Sequence, residues 1–382
     1  MKFLLIPDSF KGTLSSGQIC ELLKETITAH FPDAETVCIP VADGGEGSVD
    51  AFLTALGGEK SVLTVKNPFF EDIQAYYGLI DNGETAVVEM AACAGLPLAE
   101  GRRNPAVTTT YGVGQLLVDA AQRGVKRIIV GLGGSATNDA GCGAAAAAGV
   151  KVYDTAGEGF VPTGETLCEI ADIDLSGLCP ALKAVEIITM CDIDNPMYGP
   201  NGAAYIFGPQ KGADPYMVEE LDNGLRHLAK VMAEKLGTDY SHTPGAGAAG
   251  AMGMGMLVFF GSRLQMGIQT VLDVVKFEEL GADCDYVITG EGKLDSQSLR
   301  GKVVIGVAQR AKAMGKPVIA VVGGADDADI GSAYELGVTA VFPINRLPLD
   351  FSVSRQHSVE NLSYTADNIM RLLAAEQRRA KV

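Results

Sequence analysis

The sequence predicts an α/β protein in two domains: a parallel-sheet domain assembled from both chain ends, 1–66 and 262–382, and a mixed α/β domain inserted at 67–261. Three observations predict it. The chain opens in a β-α-β-α rhythm, that rhythm returns toward the C-terminus, and the middle is a run of short strands among long Gly/Pro/Asn loops. A length of 382 residues gives a prior of two or three domains, and an insertion that keeps both termini on one domain is a tolerated arrangement.

Each element has its own signal. Residues 2–6 form a continuous apolar run, the mark of a strand buried on both faces. A helix follows, because Ser15 and Gln18 fit a capping box and Ile19, Leu22, Leu23 and Ile27 lie on one stripe. A second strand, 36–41, runs into Asp43-Gly44-Gly45-Glu46-Gly47, and a helix at about 48–56 closes at Gly57-Gly58. In the middle, strands are expected at 74–80, 85–90, 126–131, 150–153 and 186–191. Late in the chain, strand 286–289 leads into a Gly290-Glu291-Gly292 loop, with a helix over 302–314, strands 318–322 and 340–344, and a last helix near 358–378. The three Gly-Glu-Gly strings share no spacing or context, so they are not a repeat.

Composition excludes several classes. A hydrophobic share of 47% with 20% charged residues rules out wholesale disorder. The net charge of −17 is spread along the chain, and a negative field opposes nucleic-acid binding. Eight scattered cysteines without a C-x-x-C read as buried reduced thiols. The apolar start is too short for a signal peptide and is stopped by Pro7 and Asp8. The uncharged stretch 243–262 holds six glycines and a proline, so it reads as a packed segment and not a membrane span. A cytoplasmic protein without a membrane partner is expected. The four histidines form no cluster, which argues against a His-based hydrolase or a zinc site.

Chemistry concentrates in loops expected at strand ends, where open α/β sheets bind ligands. Asp8-Ser9-Phe10-Lys11-Gly12-Thr13 offers a carboxylate, hydroxyls and a cation before a helix N-terminus, an anion seat or a plain helix-entry turn. Asp43–Gly47 suits Mg²⁺-bound water or a helix cap. Gly131-Leu-Gly133-Gly134-Ser135-Ala136-Thr137-Asn138-Asp139 has the design of a phosphate cradle. It also matches G-x-G-x-x-A, with Asp154 23 residues on, so a dinucleotide-dependent oxidoreductase of a small hydroxy acid stays open, as does a packing loop. No G-x-x-x-x-G-K-[ST] exists, which excludes a Walker site. Thr289–Asp295 with Lys302, Asp192 with Asp194 and Asn195, Arg102-Arg103-Asn104 with Thr108–Thr110, and 208–212 with an exposed Lys211 complete the set.

Taken in order, these stretches resemble the type-1 glycerate kinase family: PDSFKGTLSS (7–16), VADGGEGS (41–48), RNPAVTTTYGVG (103–114), GLGGSATNDAG (131–141), CDIDNPMYGPNGAAYIFGPQKGA (191–213), GAGAAG (245–250) and TGEGKLDSQSLRGK (289–302). Two departures stand out: Ala251 where the family extends its glycine run, and Met197-Tyr198 where a Leu is commoner. The resemblance implies ATP-dependent phosphorylation of D-glycerate at the 2-hydroxyl, in glycerate/glyoxylate or sugar-acid catabolism, with a 3-phosphoglycerate-forming enzyme as the alternative. It implies a flavodoxin-like domain beside one likened to restriction enzymes, and leaves the oligomeric state open, a homo-oligomer included. On this reading we expect these residue roles: Asp192, Asp295 and Lys11 as catalytic groups; Asp8, Ser9, Lys11, Arg103 and Asn104 on glycerate; Gly133, Gly134, Ser135, Thr137, Asn138, Lys293 and Lys302 on the ATP phosphates; Asp43, Asp192 and Glu291 on Mg²⁺. Two rivals remain: a binding protein without catalysis, and a kinase of the homoserine/mevalonate-type fold, which would need the GLGGSA loop to open directly into a long helix and is disfavoured by the Asn138-Asp139-Ala140-Gly141 interruption.

Overall fold

The computed structural model describes residues 1–41, 44–45, 47–347 and 349–380. The chain divides into two compact units, Met1–Ala42 with Ile268–Val382, and Asp43–Gly267. Both limits differ from the expected 66 and 261. The strand Glu59–Lys66 pairs antiparallel with Asp72–Ile80, and Arg263–Gln265 pairs with Glu186–Met190, so backbone hydrogen bonds claim both segments for the inserted unit. Residues 59–66 carry only a weak alternation and no apolar run, which hid the strand.

The first unit is a five-stranded parallel sheet in the order Ala340–Pro343, Val318–Ala325, Tyr286–Leu294, Lys2–Pro7, Glu35–Cys38. Counted along this unit alone the order is 2-1-3-4-5, the flavodoxin-like arrangement, with the insertion after its second strand. Phe3 and Leu5 share a buried cluster with Ile19, Leu23 and Ile27 of the Ser16–His30 helix and with Leu362, Ile369 and Met370 of Ser358–Ala380. The Ser15–Gln18 capping box forms.

The strand Tyr286–Leu294 corrects the sequence reading. It does not stop at Thr289 but pairs with Val318–Ala325 as far as Leu294, whereas its other neighbour ends at Pro7, opposite Gly290. Glu291, expected in a loop, is therefore on a strand beyond the end of the adjacent one.

The second unit holds a six-stranded mixed sheet in the order Arg263–Gln265, Glu186–Met190, Arg127–Gly131, Thr85–Glu89, Asp72–Ile80, Glu59–Lys66; the first four are parallel. A separate antiparallel sheet comprises Gly159–Phe160, Lys151–Tyr153 and Asp172–Asp174. The register sets Glu89, Gly131 and Met190 side by side, so the chain leaves three adjacent strands at one carboxyl edge. The eight cysteines are free thiols. Among the described residues no helix is long and apolar enough to cross a membrane.

Candidate active site

Between Gly131 and the helix Cys142–Ala147 the chain makes a long buried loop. Its first glycines serve packing. A Cβ on Gly131 would lie 2.3 Å from the Gly44 carbonyl oxygen and one on Gly133 2.5 Å from Gly45 Cα, while the Gly133 N–H donates to the Gly44 carbonyl at 2.9 Å. Gly133 is thus committed to its neighbour loop, and the ligand-facing groups come later.

Asp139, fully buried, organises that later part. Its carboxylate accepts from the Thr110 N–H (2.7 Å) and hydroxyl (2.8 Å), the Gly141 N–H (3.1 Å) and the Gly143 N–H (3.2 Å). Burial pushes its pKa up, against these donors. The Thr108 hydroxyl donates to the Ala136 carbonyl at 2.9 Å, a second tie to the same threonine run.

Asn138 is fully buried, and among the described residues neither its amide oxygen nor its amide nitrogen has a partner; nor does the Thr137 hydroxyl. Orphaned buried polar atoms are rare because each costs about 1–3 kcal/mol. The backbone around them is strained as well: Ala140 (φ 52°) lies within the loop, and Ala249 (φ 56°) and Ala251 (φ 66°) flank Gly250, which packs on it. A Cβ on Gly250 would sit 2.0 Å from the Thr137 carbonyl oxygen. Strain and orphaned groups held together by tight packing are what a preorganised binding loop carries.

The 208–212 segment overturns an expectation. Lys211 is not an exposed cation but is only 2% exposed, its Nζ donating to Ser135 Oγ at 2.8 Å and to the Thr137 carbonyl at 2.6 Å. Burial pulls its pKa down to about 7, with Asp139 acting the other way. Gly-Pro-Gln-Lys-Gly reads as a surface turn, and only the tertiary fold shows the lysine turning inward. Nearby, the exposed Arg103 donates to the Gln210 carbonyl at 3.3 Å, and Asn104 Oδ1 accepts the Ala106 N–H at 3.0 Å. Asp192, at the next strand end, accepts the Gly267 N–H at 2.7 Å.

In the first unit, the Asp8 N–H donates to the Gly290 carbonyl at 2.8 Å, and Asp8 Oδ1 accepts the Ser9 N–H at 2.7 Å. Lys11 is exposed, its backbone passing Gly292. Glu291 is 7% exposed, with Oε1 unpartnered among the described residues. Burial lifts its pKa to about 7; the Asp8 and Asp295 charges add, while the Ser298 hydroxyl and Lys302 oppose. Asp295 caps its own turn, accepting the Gln297 N–H (2.9 Å) and the Ser298 N–H (3.3 Å). Lys302 donates to Gln297 Oε1 at 2.9 Å, and Lys293 pairs with Asp326 at 2.9 Å on the surface. Asp43 lies outside the described residues. Among those described, no three His, Cys, Asp or Glu residues converge to hold a metal ion.

The dinucleotide alternative loses its second half here. Asp154 follows a strand of the small antiparallel sheet, and its Oδ1 accepts the Ala156 and Glu158 N–H groups of its own turn. The helix after the glycine loop begins only at Cys142, far beyond the pyrophosphate turn of a dinucleotide fold.

Comparison with known proteins agrees. The sequence model of the glycerate kinase family matches residues 3–374. A glycerate 2-kinase from Escherichia coli (strain K12) is 43% identical over 381 residues, covering 100% of both chains. A glycerate kinase from Bacillus subtilis (strain 168) is 41% identical over 370 residues, covering 97% of each. A crystal structure from Salmonella typhimurium LT2, solved as that of a candidate glycerate kinase 2, superposes with a TM-score of 0.86 at 40% identity and covers 99% of both chains. With matches along essentially its whole length, this chain belongs to the glycerate kinase family and is a kinase acting on glycerate.

Proposed function

We propose that the enzyme transfers the γ-phosphoryl group of ATP to the 2-hydroxyl of D-glycerate, giving 2-phosphoglycerate. The observation that carries the nucleotide half is the buried cradle of Ser135, Thr137 and Asn138: the Thr137 hydroxyl and the Asn138 amide, unpartnered among the described residues, and their strained neighbours fit phosphate oxygens. The position of transfer is supported by the full-length relative named glycerate 2-kinase.

Phosphoryl transfer needs little covalent help from a protein, so the chain's task is positioning and charge neutralisation. In this reading Ser135, Thr137 and Asn138 receive phosphate oxygens, with Gly134 letting the backbone approach and Gly133 shaping the turn. For glycerate the family resemblance supports Lys11, Asp8 and Ser9 in the first unit and Arg103 and Asn104 in the second, the cations as candidates for its carboxylate and the others for its hydroxyls. Lys302 supplies positive charge beside Glu291. Lys293 remains a phosphate candidate only if it leaves Asp326.

Mg²⁺ belongs to the proposal because it usually takes one or two carboxylates and completes its shell with water and substrate phosphates. Glu291 fits it, as a buried hard-oxygen donor with one oxygen unpartnered among the described residues; Asp192 is the second candidate, and Asp43 a third. When bound, the ion would neutralise phosphate charge. Asp192 or Asp295 accepts the hydroxyl proton, and Asn replacement of the true base lowers kcat roughly 10²–10⁴-fold. If both variants keep near wild-type kcat, the base is elsewhere.

The deciding experiment incubates the protein with D-glycerate, Mg²⁺ and ATP and identifies the product by ³¹P NMR. A 2-phosphoglycerate doublet is expected; 3-phosphoglycerate or no ATP consumption overturns the reading.

A further inference from the structure

We infer that Lys211 is a phosphate-binding cation of this kinase, its Nζ leaving Ser135 Oγ and the Thr137 carbonyl oxygen to donate to nucleotide phosphate oxygens. This rests on the nucleotide reading of Ser135–Asn138 given above.

The geometry carries it. Lys211 is buried with its Nζ on the two residues that open the cradle, directly beside the orphaned Thr137 hydroxyl and Asn138 amide. An ammonium has three donors, and Lys211 spends two on neutral oxygens, which leaves one without a partner among the described residues. A lysine buried only to latch two loops would be expected to pair with the nearest carboxylate. Asp139 is the carboxylate whose charge acts on it, and its oxygens are taken by five donors from Thr109, Thr110, Gly141 and Gly143. The amine is therefore desolvated without a bonded counter-charge, an arrangement that is costly unless an anion arrives. Its acceptors, a hydroxyl and a carbonyl, are neutral, and an incoming phosphate outcompetes them because its oxygens bring a full opposite charge into a desolvated site.

The loop holding Lys211 is built for one position. Gly212 (φ 99°) passes so close to Arg103 that a Cβ would sit 2.5 Å from the Arg103 carbonyl oxygen, and Arg103 in turn donates to the Gln210 carbonyl. The charge that acts on Lys211 is that of Asp139 in the cradle, while the exposed Arg103 holds the neighbouring Gln210 carbonyl. The lowered pKa of the free protein follows from the same burial, and a bound phosphate would hold the amine protonated.

The test compares wild type with Lys211→Met, by steady-state kinetics and by calorimetric binding of the imido analogue of ATP with Mg²⁺. The expected result is at least a hundredfold fall in kcat/KM for ATP and in analogue affinity, with the KM for glycerate changed far less. If a folded Lys211→Met binds the analogue and turns over like wild type, the inference fails while the nucleotide reading stands. If wild type itself binds no nucleotide, the nucleotide reading falls. Should Lys211→Met not fold, ¹³Cε-lysine NMR of wild type decides. One lysine signal titrating near neutral pH should stop titrating when the analogue binds, and continued titration in the bound protein overturns the inference.

Discussion

Two glycine-punctuated segments, 131–139 and 289–295, look alike in the sequence, and the fold uses them in opposite ways. In the first, polar groups are buried, the backbone is strained and key atoms lack partners; in the second, the glycines lie in or beside a regular strand and most polar groups are satisfied locally or by surface ions. Only Glu291 breaks that rule, buried where its strand outruns its neighbour. The contrast teaches that glycine and charge mark both sites, but burial decides which is preorganised and which presents its other charged side chains to solvent.

The largest effect should come from the anchor of the first segment. Asp139→Ala strands several buried donors, and removing one member of such a network typically costs about 3–5 kcal/mol. Asp295→Ala, which removes a turn cap on a half-exposed residue, should cost about 1 kcal/mol. Chemical denaturation of both variants, followed with probes in each unit, checks the ratio; equal losses would erase the distinction drawn between the segments.

Next comes Asn138→Ala. Because its amide has no partner among the described residues, truncation should leave stability unchanged or slightly raised, yet lower kcat/KM by about 10²–10³-fold, the scale of a lost transition-state donor. A thermal melt with steady-state kinetics tests it. A destabilised variant with normal kinetics would make Asn138 a packing residue.

These two residues also show where sequence reading reaches and where it stops. The fold class was legible because apolar runs and helix stripes report burial directly: residues 2–6, the Ser15–Gln18 box and the final helix all stand where their patterns place them. The loop at 131–139 was legible as special from its composition. Which of its members act was not, since Gly133 is explained by its approach to Gly45 and Asp139 by five donors, facts of tertiary contact. Lys211 was misplaced for the same reason: a lysine between glycines reads as solvent-facing, and only distant loops bury it. Glu59–Lys66 was missed because an edge strand paired on one side needs no strong apolar run.

Glu291 gives a pH-dependent test of the second segment. An acid whose pKa rises from 4.5 in the unfolded chain to about 7 in the folded one favours folding most below 4.5, and that contribution is lost as pH climbs through 7. Glu291→Gln removes the charge penalty, so above pH 7 the variant should be more stable than wild type, by on the order of 1–3 kcal/mol, and near pH 4 the gap should close. Activity should fall at every pH, since the carboxylate is a proposed ion ligand. Denaturant midpoints at pH 4, 6 and 8 measure this; a gap that does not change with pH would mean the carboxyl titrates normally.

The smallest effect returns to the strained turn. An Ala→Gly change inside a helix loses conformational restriction and a buried methyl, together about 1.5 kcal/mol, and Ala308→Gly within Val303–Ala313 should show that loss. Ala251 loses the same buried methyl, but it sits at φ 66°, where an alanine carries about 1–2 kcal/mol of left-handed strain that glycine does not. The two contributions oppose each other, so Ala251→Gly should shift stability by less than about 0.5 kcal/mol. Ala249, with φ 56° and only half-buried, has less methyl burial to lose, so Ala249→Gly should stabilise slightly. If Ala251→Gly costs as much as Ala308→Gly, the turn is not strained, and the backbone behind Asn138 is no more preorganised than an ordinary helix.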